Sequence, residues 1–388
     1  MGEGPAEFFG PYTLVNGKIW PKAEVEPCLY RFRALNGSNA RTYRLLLLNE
    51  SGLSQHASVW QIGCDQGLMH NKTAISETGL VLAPGERVDL LIDFTSFTSQ
   101  NLYLWNTAEA PFGNASPITA NPVAELTAFL ANPIAVIGNE IDRRPYPQIM
   151  RFDIKTKAGS SLDTLPVDPL WTQPRPPLDL KADMPIRLMA LIEKPPTGGG
   201  SETSMLVFWE YVQVTPKEPA PSGAEIVNFT YIHPATNLSV TGQYWKAAEE
   251  FYDTLNWKIH LDDTEQWYIV NLSPDTHPIH VHLVDVHVNQ RYAIRIQPPP
   301  AGTEPLVIDG NQDKLTAISN LAALPIDPDQ TGPKDTVRVN PGEMIGLSIK
   351  FSPFCGKFMY HCHILEHEDN DMMRPFLIVP KWVPHHQH

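Results

Sequence analysis

Cysteine is scarce in this 388-residue chain, which holds only Cys28, Cys64, Cys355 and Cys362. Four thiols cannot staple a chain of this length, so a disulfide framework is excluded and stability must come from hydrophobic cores. Basic residues are also few: 29 Lys and Arg stand against 43 Asp and Glu, for a formal net charge of -14. With no basic cluster to neutralise phosphates, nucleic acid and anionic membrane surfaces are not expected as partners. No apolar run reaches the roughly 18–20 residues of a membrane-spanning helix. The opening ten residues lack a basic start followed by an apolar stretch, so they are not expected to be a signal peptide. Long helical periods are missing too. Proline, at 37 residues, is about twice as frequent as the usual share of roughly 5%, which favours turns and irregular connections.

What the chain has instead is a series of short β-prone runs, at 14–15, 30–34, 43–48, 58–62 and 87–94. Turn signals separate them: Asn16-Gly17, Asn36-Gly37-Ser38-Asn39 and Pro84-Gly85. The spacing predicts an all-β sandwich or barrel over residues 1–155. Residues 156–182, rich in Gly, Ser and Pro, read as a linker. A second all-β unit is expected over 183–388, with strands at 264–272, 335–339 and 344–351. A Gly/Pro/Ser/Glu-rich stretch at 195–223 and a long loop near 293–333 are expected to interrupt it. N-x-[ST] triplets begin at Asn36, Asn49, Asn71, Asn114, Asn228, Asn237 and Asn271, more than chance supplies. They point to a glycosylated, secreted or cell-surface protein, with a cytoplasmic one as the alternative.

Two segments carry the chemistry: His277-Pro-Ile-His280-Val-His282, and His361-Cys362-His363 followed by His367, Glu368 and Met372. In a strand, residues two apart share a face. His361 and His363 therefore point together and Cys362 points away; His280 and His282 share a face likewise. Four imidazoles can converge on one side. Cys362 is left for a second site, to which His367 and Met372 can fold back and His277 can add an imidazole. One thiolate, two imidazoles and a weakly bound thioether select copper in a blue electron-transfer site, and an all-imidazole face suits copper as well. Zinc is the competing metal, since HxH and HxxxH spacings also serve it. His56, His70, His233, His260 and His287 lack partners at ligand spacing and read as ordinary histidines. His385, His386 and His388 read as a tail, and Cys28 and Cys64 as buried thiols.

These motifs resemble those of multicopper oxidases, in particular the spore-coat laccase, bilirubin oxidase and phenoxazinone synthase group. The strongest matches are THPIHVHLV at 276–284 and HCHILEHEDNDMMRP at 361–375. LVNGKIWP at 14–21, YRFRALNGSNARTYRL at 30–45, LAPGERVDLLIDF at 82–94 and KDTVRVNPGE at 334–343 support them. The resemblance implies two cupredoxin-like, Greek-key β-sandwich or barrel domains, like the family's middle and last. It implies a type 1 copper on His277, Cys362 and His367 with Met372 axial, a type 2 copper on His280, and a type 3 pair on His282, His361 and His363. Glu368 matches a carboxylate that the family places near the dioxygen site, where a proton donor suits oxygen reduction. The family's trinuclear cluster takes eight histidines, half from two HxH pairs in a first domain, and no such pair precedes His280 here. The type 1 site is thus expected complete, the type 2 and type 3 sites partial, and a missing N-terminal cupredoxin domain becomes an expected partner.

Two functions of different class follow. One is a laccase-like oxidase that takes electrons from small phenols, aminophenols or bilirubin-like pigments at an exposed edge of a type 1 histidine and passes them to dioxygen. The other is a copper-binding blue electron-transfer protein with only the type 1 site filled. A non-catalytic β scaffold is a third reading, and nothing structural in it would require Cys362 or Met372.

Overall fold

The computed structural model describes residues 7–10, 12–114, 122–132, 147–156, 164–170, 178–194, 205–297 and 315–383. The chain divides into two compact units, Phe8–Arg175, and Pro176–His388 together with Met1–Glu7. The tail histidines and residues 298–314 of the expected long loop lie outside the described residues.

The first unit is a sandwich of two sheets. One is five-stranded, in the order Lys22–Val25, Gln148–Ile154, Asn101–Asn106, Tyr43–Asn49, Leu80–Leu82; the other is four-stranded, in the order Leu29–Leu35, Arg87–Asp93, Val59–Cys64, Gly67–Ala74. Alternate residues of each, such as Leu45, Leu47 and Phe152 from the first and Val59, Leu90 and Ile92 from the second, meet in one core. The Asn16-Gly17 turn closes a two-stranded hairpin with both residues at positive φ, as a tight hairpin of this hand requires. A helix at Pro122–Ala131 lays Leu126 and Phe129 on Leu46, Leu48, Tyr103 and Trp105. The sequence reading did not anticipate it.

The second unit is built on a closed eight-stranded barrel. Its order is Ile186–Lys194, Met205–Gln213, Ser239–Ala248, Ile226–Ile232, Ala317–Ala323, Val286–Gln297, Glu343–Lys350, Thr264–Asn271, and the last strand returns in parallel to the first. Two expected interruptions prove to contain barrel strands: Met205–Gln213 runs through the stretch at 195–223, and Val286–Gln297 and Ala317–Ala323 flank 298–314. Prolines around these runs masked them, yet Leu206 to Tyr211 and Ile294, Ile296 and Ile318 bury enough apolar surface to order them.

Beside the barrel lies a five-stranded sheet, in the order Lys258–His260, Met373–Val379, Gly356–Cys362, His277–Val281, Thr336–Val339. Its central strands carry both histidine-rich motifs. Behind them Trp257, Trp267 and Tyr360 pack with ring centroids 4.6–5.4 Å apart, the offset and edge-on contacts that aromatic quadrupoles favour. These rings fix the sheet that the two histidine-rich motifs stand on.

Candidate metal centre

Strand register decides which side chains meet. His277–Val281 pairs antiparallel with Gly356–Cys362, with Ile279 opposite Cys362 and His280 opposite His361. Directly opposed residues share a face. One face therefore carries His277, Ile279 and Cys362, and the other carries His280, His282, His361 and His363. The separation expected from alternation is what the sheet shows.

On the buried face, Cys362 Sγ lies 3.7 Å from His277 Nδ1 and 3.6 Å from His367 Nδ1, and the two nitrogens are 3.2 Å apart. Metal–nitrogen and metal–sulfur bonds of about 2.0 and 2.3 Å in a trigonal plane set donors about 3.5–3.7 Å apart. The triangle fits one soft ion. His367 arrives through the short helix Leu365–Asp369, and the loop then closes: Met372 N donates to the His367 carbonyl at 2.9 Å and Cys362 N donates to the Met372 carbonyl at 3.0 Å. This sets the backbone of Met372, whose side chain is fully buried, beside Cys362 and His367.

Each donor is prepared electrostatically. Burial pushes the Cys362 thiol well above its ordinary range, while the Ile364 N–H, 3.5 Å from Sγ, pulls the other way; a bound cation would deprotonate the thiol outright. Burial pushes His277 well down and His367 down to about 4, so both keep a free nitrogen lone pair at neutral pH. His277 Nε2–H donates to Ser273 Oγ at 2.6 Å, and Ser273 Oγ–H donates to Asn271 Oδ1 at 2.7 Å. Asn271 Nδ2 in turn donates to the carbonyls of Val339 and Asp275. That chain holds the tautomer in which Nδ1 faces the thiol. Neither imidazole edge is exposed as expected, because His277 and His367 are both buried. The outer nitrogen of His367 lies 3.4 Å from the Glu7 carboxyl, which burial and then repulsion from Glu366 and Glu193 push up to about 8.

On the other face, His280, His282 and His361 bring donor atoms within 4.8 Å of one another, with the Nε2 atoms of His282 and His361 3.1 Å apart. His363 stands at the side of this group, its ring 5.6 Å from that of His361 and 5.8 Å from that of His280. His280 Nδ1–H donates to the Asp335 carbonyl at 3.0 Å and to Thr336 Oγ1 at 3.1 Å, which turns Nε2 toward the cluster. His361 Nδ1–H donates to the Cys362 carbonyl at 2.9 Å, with Glu368 Oε2 at 3.2 Å. That contact, the largest influence on Glu368, holds its carboxyl below the usual range. Glu368 is thus ionised at neutral pH and must take up a proton before it can donate one.

The model for multicopper oxidases matches residues 229–381. Over 373 residues the chain is 30% identical to a laccase of Bacillus stratosphericus, an overlap of 96% of this chain and 55% of that protein. A laccase of Bacillus subtilis is 29% identical over 368 residues, 95% of this chain and 54% of its own. Residues 229–381 thus match the multicopper oxidase family, and the relatives along nearly the whole chain include laccases. A solved variant of the multicopper oxidase McoA from Aquifex aeolicus superposes with a TM-score of 0.58 at 22% identity, over 97% of this chain and 61% of that one. The likeness is one of fold, and the two units here are cupredoxin-like β domains. The chain spans about half the length of the curated relatives it matches.

Around the candidate donors the chain holds several residues that motif reading passed over. Ser273, Asn271, Asp335, Thr336 and Glu7 stand behind the candidate donors His277, His280 and His367. Asp335 and Thr336 fall in the KDTVRV run, which served only as a supporting match. Asn271 and Ser273 form one of the N-x-S triplets. Asn271 is fully buried, as is nearly all of Asn36, whose side chain donates to the carbonyls of Arg41 and Leu82. Those two triplets are internal hydrogen-bonding devices, closed to glycosylation in the folded chain. His233 and His260 are the ordinary histidines expected, bonded to the Ala235 amide and the Val383 carbonyl.

Proposed function

We propose that this chain is the copper-binding part of a laccase-like oxidase. It would accept electrons singly from a small phenolic, aminophenolic or bilirubin-like molecule and deliver them to dioxygen. The observation that carries the proposal is the Nδ1, Nδ1, Sγ triangle of His277, His367 and Cys362, with Met372 closed onto it. The roles follow the family resemblance: type 1 copper on those four residues, type 2 on His280, type 3 on His282, His361 and His363. Copper bound there would supply one-electron chemistry at the first set and multi-electron reduction of dioxygen to water at the second.

The chain's own residues do the rest. His277 and His367 stay neutral and oriented, one by Ser273 and the other by burial. Cys362 shares a backbone with His361 and His363, so an electron leaving the thiolate has a short bonded route to the opposite face. The His361 Nδ1–H bond to the Cys362 carbonyl shortens it further. Glu368, partly exposed and 3.2 Å from His361 Nδ1, would take protons from water and pass them toward the imidazole face. Four imidazoles are too few for a complete trinuclear cluster, so full oxidase activity would draw further imidazoles from a first cupredoxin domain.

A second reading has its own support: the first donor set is complete within this chain, and the second is not. With only that set filled, the protein would be a blue electron carrier. Copper content and oxygen uptake separate the two. About one copper per chain, with a thiolate charge-transfer band and no oxygen consumption, is the outcome for the carrier. A count near four with oxygen uptake, once the missing domain is supplied, is the outcome for the oxidase. Copper bound without a thiolate band would refute both.

A further inference from the structure

Next to the thiolate ligand set lies a fully buried ion pair. Glu210, on the barrel strand Met205–Gln213, accepts from Arg374 Nη2 at 2.9 Å, from Asn256 Nδ2 at 2.8 Å and from the Tyr360 hydroxyl. Both charged side chains have 0% exposure. Tyr360 and Arg374 are direct partners across the strands Gly356–Cys362 and Met373–Val379. One step along the same face come Cys362 and Met372, joined by the Cys362 N–H to the Met372 carbonyl at 3.0 Å. Residues two apart on a strand are about 7 Å apart, at roughly 3.3–3.4 Å per residue. The ion pair therefore occupies the block of side chains adjoining two of the four type 1 donors.

Arg374 also ties down a loop. Its guanidinium donates to the carbonyls of Glu250 and Phe251 at 2.5 and 3.2 Å, and of Asp253 and Thr254 at 3.3 and 2.7 Å. The Phe251 N–H in turn donates to Asp371 Oδ1 at 3.2 Å, next to Met372. A guanidinium cannot lose its proton at any working pH, so its buried charge needs a permanent counter-charge. Glu210 supplies it.

We propose that Glu210 is a positioning residue for the type 1 site, setting its reduction potential by neutralising Arg374. This rests on the reading of His277, Cys362, His367 and Met372 as copper ligands. A metal that changes charge by one in a low-dielectric site responds to a fixed charge a few residues away. An uncompensated Arg374 favours the reduced ion; the intact pair is close to neutral.

The test is a redox titration of the copper-loaded full chain, following its thiolate band. Glu210→Gln keeps the shape and the oxygen acceptor but removes the charge. Its midpoint should rise by at least a tenfold change in the reduction equilibrium, about 59 mV for one electron, with the band energy unchanged. The double variant Glu210→Gln/Arg374→Gln should return close to wild type. Glu210→Asp, which keeps the charge but shortens the reach, should also stay close. An unmoved midpoint in Glu210→Gln, or a double variant shifted as far as the single one, overturns the proposal. Should the single variant not accumulate as folded protein, Arg374→Gln decides: leaving Glu210 as the uncompensated charge, it should lower the midpoint, and an unmoved or raised midpoint refutes the role. Absence of the thiolate band in wild type overturns the ligand reading, and this inference with it.

Discussion

At the scale of single residues, a metal donor is only as good as the group behind it. His277 could present either nitrogen to the thiol, and its 2.6 Å bond to Ser273 selects Nδ1. Ser273→Ala leaves a buried N–H without its acceptor. Stability should fall by about 1–3 kcal/mol and copper affinity by about 10–100-fold, read by thermal unfolding and by competition with a chelator. An unchanged affinity would show that Ser273 does not orient the ring. The two candidate donor sets were legible in the sequence because their chemistry is in their identity and spacing: His361, Cys362 and His363 alternate, and alternation in a strand splits faces. Ser273 and Asn271 were not legible. A small polar residue four positions before a histidine looks like any turn, and Asn-Leu-Ser looks like a glycosylation acceptor until burial is known.

Among the elements, the loop from Cys362 to Met372 matters most, because it must return on itself within one turn of helix. Asp371 makes that return with φ of 72°, in the left-handed region. Asp tolerates that region and a β-branched residue does not. Asp371→Asn, which tolerates positive φ and keeps an acceptor for the Phe251 N–H, should leave stability within about 1 kcal/mol, whereas Asp371→Val should cost about 1–3 kcal/mol and perturb the thiolate band through Met372. Equal behaviour of the two in thermal unfolding and absorption would contradict this account of the turn. The legible elements were β-prone runs bounded by turn signals, such as Tyr43–Asn49 and Arg87–Asp93. Met205–Gln213 and Ala317–Ala323 escaped because proline and glycine crowd their ends, and the helix Pro122–Ala131 because its apolar face is short. Tertiary burial overrode weak local signals in each case.

For the molecule as a whole, the fold brings an acidic residue from near the start of the chain to the candidate metal centre. The Glu7 carboxyl is raised from 4.5 to about 8, chiefly by burial. Between those values the unfolded chain has lost the proton that the folded chain keeps. Glu7 therefore lowers stability progressively as pH rises from about 4.5 to about 8. In the metal-free chain, Glu7→Gln should be neutral near pH 4.5 and increasingly stabilising up to pH 8, measured as the midpoint of urea unfolding. His367, lowered to about 4, has the opposite sign, costing stability as pH falls from 6.5 toward 4. A difference between variant and parent that does not grow with pH would contradict the burial of Glu7 beside His367. The acidic balance of the whole sequence was visible from composition, but the location of this carboxyl was not, since Glu7 lies far from the histidine motifs in sequence and reaches His367 only through the fold.

The central claim is that His277, Cys362 and His367 hold one copper ion. Titration of the metal-free chain with copper, followed together by visible absorption and electron paramagnetic resonance, tests it most directly. The account predicts an intense thiolate-to-copper band with compressed copper hyperfine splitting that saturates at about one equivalent. In Cys362→Ser both features should be lost, while weaker copper binding by His280, His282 and His361 persists. Copper that binds the parent chain without that band, or a band that survives in Cys362→Ser, would contradict it.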